Sequence, residues 1–531
     1  MHADKDRDLV PGTVTRGDFL TRAGVTAGAA VAGAALAGAP ARARGATLAQ
    51  PVRALPRAGG SLTAGIVGDL LNFDAYVLAE VNYPYIENVY DQLMRLDNKG
   101  QAAPALVTAR RFSDGGRTMT LTLRQGVRYH NGGTLTAADV VSNFQRARNA
   151  QTGGNLYANM ASVQSVSAVG TNTVVVRFSA PTPYTDDILG LLPAINPRGY
   201  GALKSQPAGT GPFKVAEWVP NDHLALVKNA AYWDAGKPYL DRVTFKIYGD
   251  ADAMLSALQG GLLDLAVAIP PRSYGQFSGQ YNVVKGQEAA EFYYLGLNPT
   301  LAPFDKREVR QAIAYAMDRA TMARSVLYGL SPAIYTPFPR FSPAYFPEYE
   351  GRFAYNLNQA RQLLARAGLA KGFEFTVPTP NNFPEMALFA QILQADLAKI
   401  GVTMKIQPLD PASWYPILLK GTYHATFSFA GGAQIYPTRI ALSNNFAPSA
   451  NPVWPGGQAP AAYGQAIQKA GSTLDARQQK AAFRQMVDSF VTECWNIPIG
   501  YRVTLFALKP NVKGFAYDVY NQPRLANVSL S

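Results

Sequence analysis

Cysteine is nearly absent from this chain: Cys494 stands alone among 531 residues, so no intramolecular disulfide can form. Histidine is scarce too. His2, His130, His223 and His424 never stand three or four apart, which leaves no pair able to grip a metal from one helix face. Catalytic wording is also missing. There is no G-x-S-x-G elbow, no H-E-x-x-H helix and no G-x-x-x-x-G-K-[ST] phosphate loop. Gly209-Thr210-Gly211 opens like a dinucleotide loop, but Phe213 and Lys214 follow and no third glycine arrives, so it reads as a turn at a strand edge. The adjacent carboxylates Asp186 and Asp187 read as a solvated loop face. No run of five Lys or Arg occurs despite a net charge of +13, and no basic stripe is interleaved with aromatics. A nucleic-acid groove is therefore not expected.

What the chain has in quantity is apolar and aromatic surface. Hydrophobic residues make up 48 % of it, and 28 Tyr, 25 Phe and 5 Trp supply the rings. That is ample for burial, and the length predicts about two or three domains. Residues 23–39 are an Ala- and Gly-rich apolar run at the short edge of a membrane span. Small-residue cleavage patterns stand at Ala39-Pro40-Ala41 and Ala41-Arg42-Ala43, so residues 1–43 read as an export signal, with a retained N-terminal anchor as the alternative. Thr15-Arg16-Gly17-Asp18-Phe19-Leu20 resembles the twin-arginine export motif, except that Gly17 takes the place of the second arginine. No later stretch approaches about eighteen apolar residues, so the mature protein is expected to be soluble. No lipid-bearing cysteine follows the run, which favours a free periplasmic protein of a Gram-negative bacterium. Cys494, in FVTECW, reads as a small buried apolar residue.

Periodicity gives the elements. Met119, Leu121 and Leu123 alternate with Thr118, Thr120 and Thr122, the period of a half-buried strand, and predict strand 119–129. Thr136 and Asp139 form a capping box ahead of a helix over 137–148, with a further strand at 172–179. Helices are also predicted over 85–96, 251–259, 305–320, 358–367, 385–400, 412–420 and 475–494, with Gly368 ending 358–367 at its C′ position and Gly401 ending 385–400. No tandem repeat of 20–50 residues appears.

Three phrases carry more than periodicity. The first is DGGRTMTLTLRQGVRYHNGGTLTAADVVSNF at 114–144, with Arg124, Gly126, Val127, His130, Asn131, Gly132, Leu135, Thr136, Ala137, Asp139 and Val140. The second is Gly209-Thr210-Gly211-Pro212-Phe213 followed by Asn229-Ala230-Ala231-Tyr232-Trp233. The third runs from Asn298 through Pro303-Phe304-Asp305 to Val309-Arg310-Gln311-Ala312-Ile313-Ala314-Tyr315-Ala316-Met317-Asp318-Arg319. In order and wording these resemble the solute-binding proteins of ABC importers, in the peptide-, dipeptide- and nickel-binding family, over roughly residues 58–520. The resemblance implies an α/β, two-lobed periplasmic-binding-protein fold (type II, cluster C) with an extra α/β subdomain in the discontinuous lobe. Carried over, 44–57 is a linker, and lobe I takes 58–86, 190–288 and 498–531. The extra subdomain takes 87–189 and lobe II takes 289–497.

The same resemblance implies where a ligand would sit. Asp69, Leu71, Asn72 and Phe73 fall in the loop after the first strand, and Trp414 on a lobe II helix. Phe429, Gly431, Gly432 and Gln434 fall in the loop after the next strand, and Tyr501 on the return strand into lobe I. Peptide-binding relatives place an Asp where Gln434 stands, to hold the ligand's α-ammonium. Truncating one partner of a buried charge pair costs about 3–5 kcal/mol. Either Asp69 or Asp410 substitutes, or the ligand is a non-peptidic or N-blocked polar solute, and the second is favoured. The implied activity is capture of a peptide or other small polar organic solute by hinge closure, without catalysis and without a cofactor. Delivery would go to permease subunits served by separate ATPase subunits, from a monomer. The rivals are an exported hydrolase on the same scaffold and a nickel-type metal-chelate carrier, for which His424, near the expected cleft, is the best histidine.

Overall fold

The computed structural model describes residues 57–77, 82–288, 290–432 and 435–531. The expected export signal (1–43) and Gln434 lie outside the described residues. Among these residues no helix is long and apolar enough to cross a membrane.

The strand Ser61–Val67 buries alternate residues from Leu62 to Ile66 and becomes the centre of a seven-stranded sheet. It pairs in parallel with Arg242–Tyr248 on one side and with Leu265–Ile269 on the other. Antiparallel strands extend both edges: His223–Lys228 and Phe213–Val219 beyond the first, Leu505–Leu508 and Asn282–Lys285 beyond the second. The chain's C-terminal part thus returns to the sheet that its first strand began. A second sheet is antiparallel, in the order Val107–Ser113, Thr118–Leu123, Thr173–Phe178, Val163–Val169, with the helix Ala137–Ala147 packed against it. That helix starts at the capping box its sequence announces: Asp139 N–H donates to Thr136 Oγ1 and Thr136 N–H donates to Asp139 Oδ2. One continuous apolar core runs through both sheets, from Leu62, Phe213 and Phe245 to Leu121, Phe144 and Val176.

A separate core, around Phe292, Ile313, Phe389, Phe427 and Trp495, fills the second lobe. Its three-stranded antiparallel sheet places Glu291–Leu297 between Ala425–Gly431 and Asn496–Tyr501, with the parallel pair Glu374–Pro380 and Thr403–Leu409 beside it. The helices Arg307–Ala316, Leu357–Arg366, Pro384–Ala398 and Ala476–Glu493 cover it.

Several elements depart from the sequence reading. The helix over 85–96 is shorter and earlier, Tyr83–Val89, and 94–96 is a strand. The helix over 305–320 breaks at Met317, where Asp318 caps a new helix, Arg319–Ser325, by accepting from Thr321 N–H. Residues 496–501 pair inside the second-lobe sheet, so the return to the first lobe falls after Tyr501. Asp186 and Asp187 lie on the helix Thr185–Leu191, with Asp186 paired to Arg110 and Asp187 buried.

The phrases that spoke for the family are joints between these parts. Asp91, buried just past the first helix, accepts hydrogen bonds from Thr210 Oγ1 (3.0 Å), Tyr232 Oη (2.8 Å) and Trp233 Nε1 (2.8 Å). Arg124 lies 4.3 Å above the Trp233 ring. Gly211 packs so tightly that a Cβ there would come within 2.5 Å of the Val89 carbonyl carbon. Its own oxygen accepts from His130 Nε2 (2.9 Å) and Asn229 Nδ2 (3.0 Å). Because a carbonyl only accepts, His130 carries its proton on Nε2, and its buried Nδ1 has no partner among the described residues. The Gly209–Gly211 stretch therefore lies at the edge of the strand Phe213–Val219, as its sequence suggests, and docks on the first helix's end.

Two outcomes follow from these joints. Replacing Asp91 by alanine leaves two buried donors and one half-buried donor unpartnered and should lower unfolding free energy by about 3 kcal/mol in urea titrations. Desolvation lowers the His130 pKa to about 4. The unfolded imidazole, with its pKa near 6.5, binds a proton first, so stability is full above about pH 6.5 and falls as pH drops toward 4. That loss is up to about 3 kcal/mol, and His130→Gln should flatten the pH slope in thermal melts.

Candidate functional site

Among the described residues the chain passes between the lobes twice, at 286–288 and at 502–504. Gly286 N–H donates to Thr504 O (2.9 Å) and Arg502 N–H donates to Glu291 O (2.9 Å), so the two crossings are laced together. Asn521 clamps one of them. Its Oδ1 accepts from Gln287 N–H (2.6 Å) and its Nδ2 donates to Gln287 O (3.1 Å). A Cβ on Gly286 would sit 2.6 Å from the Asn521 side chain, so glycine is what permits this approach.

Above these crossings lies a cleft of about 2120 Å³ with walls from both lobes. The first lobe contributes the ends of its central strands (Ile66, Val67, Gly68, Val267 to Ile269), and 154–159 brings Tyr157 and Asn159. Opposite them stand Tyr293, Phe383, Glu385, Trp414, Tyr415, Phe429 and Arg439 of the second lobe. Tyr83 and Tyr520 stack at 5.9 Å and complete the aromatic lining.

Of the residues singled out from sequence, Trp414, Phe429, Gly431 and Gly432 line this cleft. Asp410 N-caps the helix Pro411–Lys420 by accepting from Ser413 N–H, and this aims Trp414 inward. The Trp414 indole N–H is taken by Thr426 Oγ1 (3.1 Å), whose own hydroxyl donates to Pro378 O (2.9 Å). The indole donor is therefore already used inside the lobe. Phe429 is held edge-on by Phe383 (5.4 Å) and is covered by the Arg502 guanidinium at 4.8 Å. Arg502 pairs with Glu291 Oε2 at 2.6 Å.

Beyond Gly68, the first-strand loop residues Asp69, Leu71, Asn72 and Phe73 are engaged by their own lobe and lie outside the lining. Asp69 accepts from Trp218 Nε1 (3.1 Å) and Asn221 N–H (2.8 Å). Leu71 donates its N–H to Asn82 Oδ1 (2.8 Å) and points its side chain to solvent. Asn72 closes a turn onto Asp74 N–H (2.9 Å), and Phe73 is buried edge-on to Trp218 at 5.5 Å. Tyr501 is buried beside the cleft instead of in it; the next residues, Arg502 to Thr504, form the floor. His424 packs 6.4 Å from Phe304 and lies outside the lining. Among the described residues no group of three or more His, Cys, Asp or Glu converges to hold a metal ion.

Sequence reasoning missed Arg439, Tyr157, Tyr520 and Arg502. Only Arg439 left a trace, as one cation inside the apolar run IYPTRIAL. It is buried on the short helix Pro437–Leu442, with Asp187 Oδ2 at 3.8 Å and the Tyr184 ring at 5.5 Å. Asp187 comes from the helix Thr185–Leu191 on the other side of the cleft, and its Oδ2 also accepts from Tyr436 N–H (3.2 Å). Burial lifts the Asp187 pKa to about 6 against the opposing pull of Arg439 and this N–H. Burial likewise lowers the Arg439 pKa.

Comparison with known proteins agrees with this geometry. The oligopeptide-binding protein AppA of Bacillus subtilis is 26 % identical over 510 residues, covering 88 % of this chain and 91 % of AppA. The glutathione-binding protein GsiB of Salmonella typhimurium is 29 % identical over 378 residues, covering 68 % of this chain and 72 % of GsiB. The periplasmic binding protein DppA of Helicobacter pylori, solved with the peptide STSA, superposes with a TM-score of 0.76 over 89 % of this chain and 98 % of its own, at 24 % identity. The model of the bacterial extracellular solute-binding proteins, family 5 Middle, matches residues 101–454. With two lobes, two laced crossings and a shared cleft, the chain belongs to the bacterial extracellular solute-binding proteins of family 5.

Proposed function

We propose that this protein is the capture component of an ABC importer, closing its two lobes on a peptide or other small polar organic solute and presenting it to a membrane permease. The observation that carries this reading is the cleft of about 2120 Å³, walled by both lobes and floored by the crossing segment 502–504. Bending at the short crossings, 286–288 and 502–504, lets each lobe keep its own core while the distance between walls changes. A solute touching both walls makes its full set of contacts only when the lobes are shut, so it shifts the population toward that state. Family 5 proteins act outside the cytoplasm, and a free protein in the periplasm suits the absence of a lipid-bearing cysteine after the N-terminal apolar run. Energy for release would come from ATPase subunits elsewhere, as the sequence carries no phosphate loop.

The lining suggests how a solute is held. Trp414 and Phe429 line the cleft with aromatic carbon, suited to apolar and ring contact. The covering Arg502 leaves the Phe429 ring in a cationic setting. AppA and GsiB bind an oligopeptide and glutathione by name, which supports peptides as the first class to try.

Small-angle scattering with glutathione, a tryptic casein digest, maltose, glucuronate and phenylacetate should show a reduced radius of gyration with at least one. No compaction with any of them would sink this reading. For the solute that compacts the protein, Trp414→Ala should weaken binding about tenfold or more by calorimetry, the loss of one ring contact. Trp414→Phe should recover part of it, and an unchanged affinity would remove Trp414 from the site.

A further inference from the structure

Three arginines are buried among the described residues, and two of them donate several hydrogen bonds to protein acceptors. Arg310 donates from Nε to Glu493 O (2.6 Å), from Nη1 to Phe304 O (2.8 Å) and from Nη2 to Glu493 Oε2 (2.8 Å). Arg319 donates from Nε to Pro498 O (2.9 Å) and from Nη1 to Phe353 O (2.9 Å). Arg439, only 7 % exposed, breaks the pattern. Its Nε is buried without a hydrogen-bond partner, and no acceptor among the described residues takes a hydrogen bond from any of its nitrogens. Asp187 Oδ2, at 3.8 Å, supplies charge but lies beyond bonding distance and already accepts from Tyr436 N–H.

Arg439 is also the one of the three that lines the cleft. A guanidinium presents five N–H donors in a planar fork that matches a carboxylate edge to edge. Desolvating such a group without acceptors costs free energy that an arriving oxyanion would return. The Tyr184 ring against one face and Asp187 at the side fix the plane of the fork. The other cleft arginines differ, since Arg502 is paired with Glu291 and Arg272 with Asp252.

We propose that Arg439 receives a carboxylate of the solute, so that the cargo is a small organic acid or acid-terminated peptide, with Asp187 as the residue that positions the guanidinium. This rests on the solute-capture reading and narrows it. A carboxylate held there would also touch the seam where Asp187 of one wall meets Arg439 and Tyr436 of the other, coupling acid recognition to closure.

The test uses the full mature protein and matched pairs: glutathione, the casein digest, glucuronate and phenylacetate, each beside its methyl ester, with maltose as a neutral control. Calorimetry and small-angle scattering are read together. At least one free acid should bind and compact the wild type, and its ester should bind about 10²-fold more weakly. Arg439→Gln should lose about the same factor for the acid and nothing for the ester, while Arg439→Lys should lie between. Asp187→Asn should weaken the acid less than Arg439→Gln does. Acid and ester binding the wild type alike, or Arg439→Gln keeping full affinity for the acid, overturns the assignment. Compaction by esters or maltose alone also overturns it but leaves solute capture standing. No compaction by any compound overturns both. The acid-against-ester comparison on the wild type decides the matter even where a variant fails to fold.

Discussion

The lobes communicate through two short strips of backbone whose hydrogen bonds are mostly to each other. Gly286 to Thr504 and Arg502 to Glu291 tie the strips into one ribbon, and Asn521 fastens that ribbon to the first lobe through the oxygen and the nitrogen of its side-chain amide. Each lobe has its own sheets and its own main core, and the remaining contacts between the lobes are few. A molecule built this way has one soft coordinate. The cleft lies along it, so the site is defined less by any single pocket than by the angle at which two finished bodies face each other.

The seam at the cleft's far side has a different character. There Asp187 meets Arg439 and Tyr436, and Leu96, Ile435 and Val519 form a small apolar cluster of their own. A buried ion pair is a weak source of net stability because desolvation offsets its Coulomb gain. A weak seam suits lobes that must part again. Its cost falls on a carboxyl whose pKa burial lifts to about 6 and on a guanidinium whose bonding is incomplete.

Much of the fold was legible because its words are local physics or family wording about joints. The helix at Ala251–Gln259 and the capping box at Thr136 can be read from spacing alone. His130, Arg124, Gly211 and Trp233 were legible as a resemblance, and in space they dock on one another, which explains why such phrases identify an architecture and say little about cargo. The misreadings have tertiary causes. The helix over 85–96 ends at Val89 because Tyr90 turns extended and Asp91 is drawn into three hydrogen bonds. Asp69 looked available, yet the Trp218 indole and the Asn221 amide occupy it from more than a hundred residues away. Arg439 was passed over because a single cation in an apolar run has no period. What makes it notable is the absence of acceptors around it, which only the fold determines.

Cys494 ends the long helix Ala476–Glu493 in a left-handed conformation (φ 50°), buried, with its Sγ donating to Val491 O at 3.0 Å. Burial pushes its thiol up to about 12, so at neutral pH it is protonated, shielded and poorly nucleophilic. The native protein therefore has a chemically silent background toward thiol reagents. A cysteine introduced on the outer face of either lobe would take up a spectroscopic label by itself, and a pair of them would turn the swing of the lobes into a distance that can be followed in time.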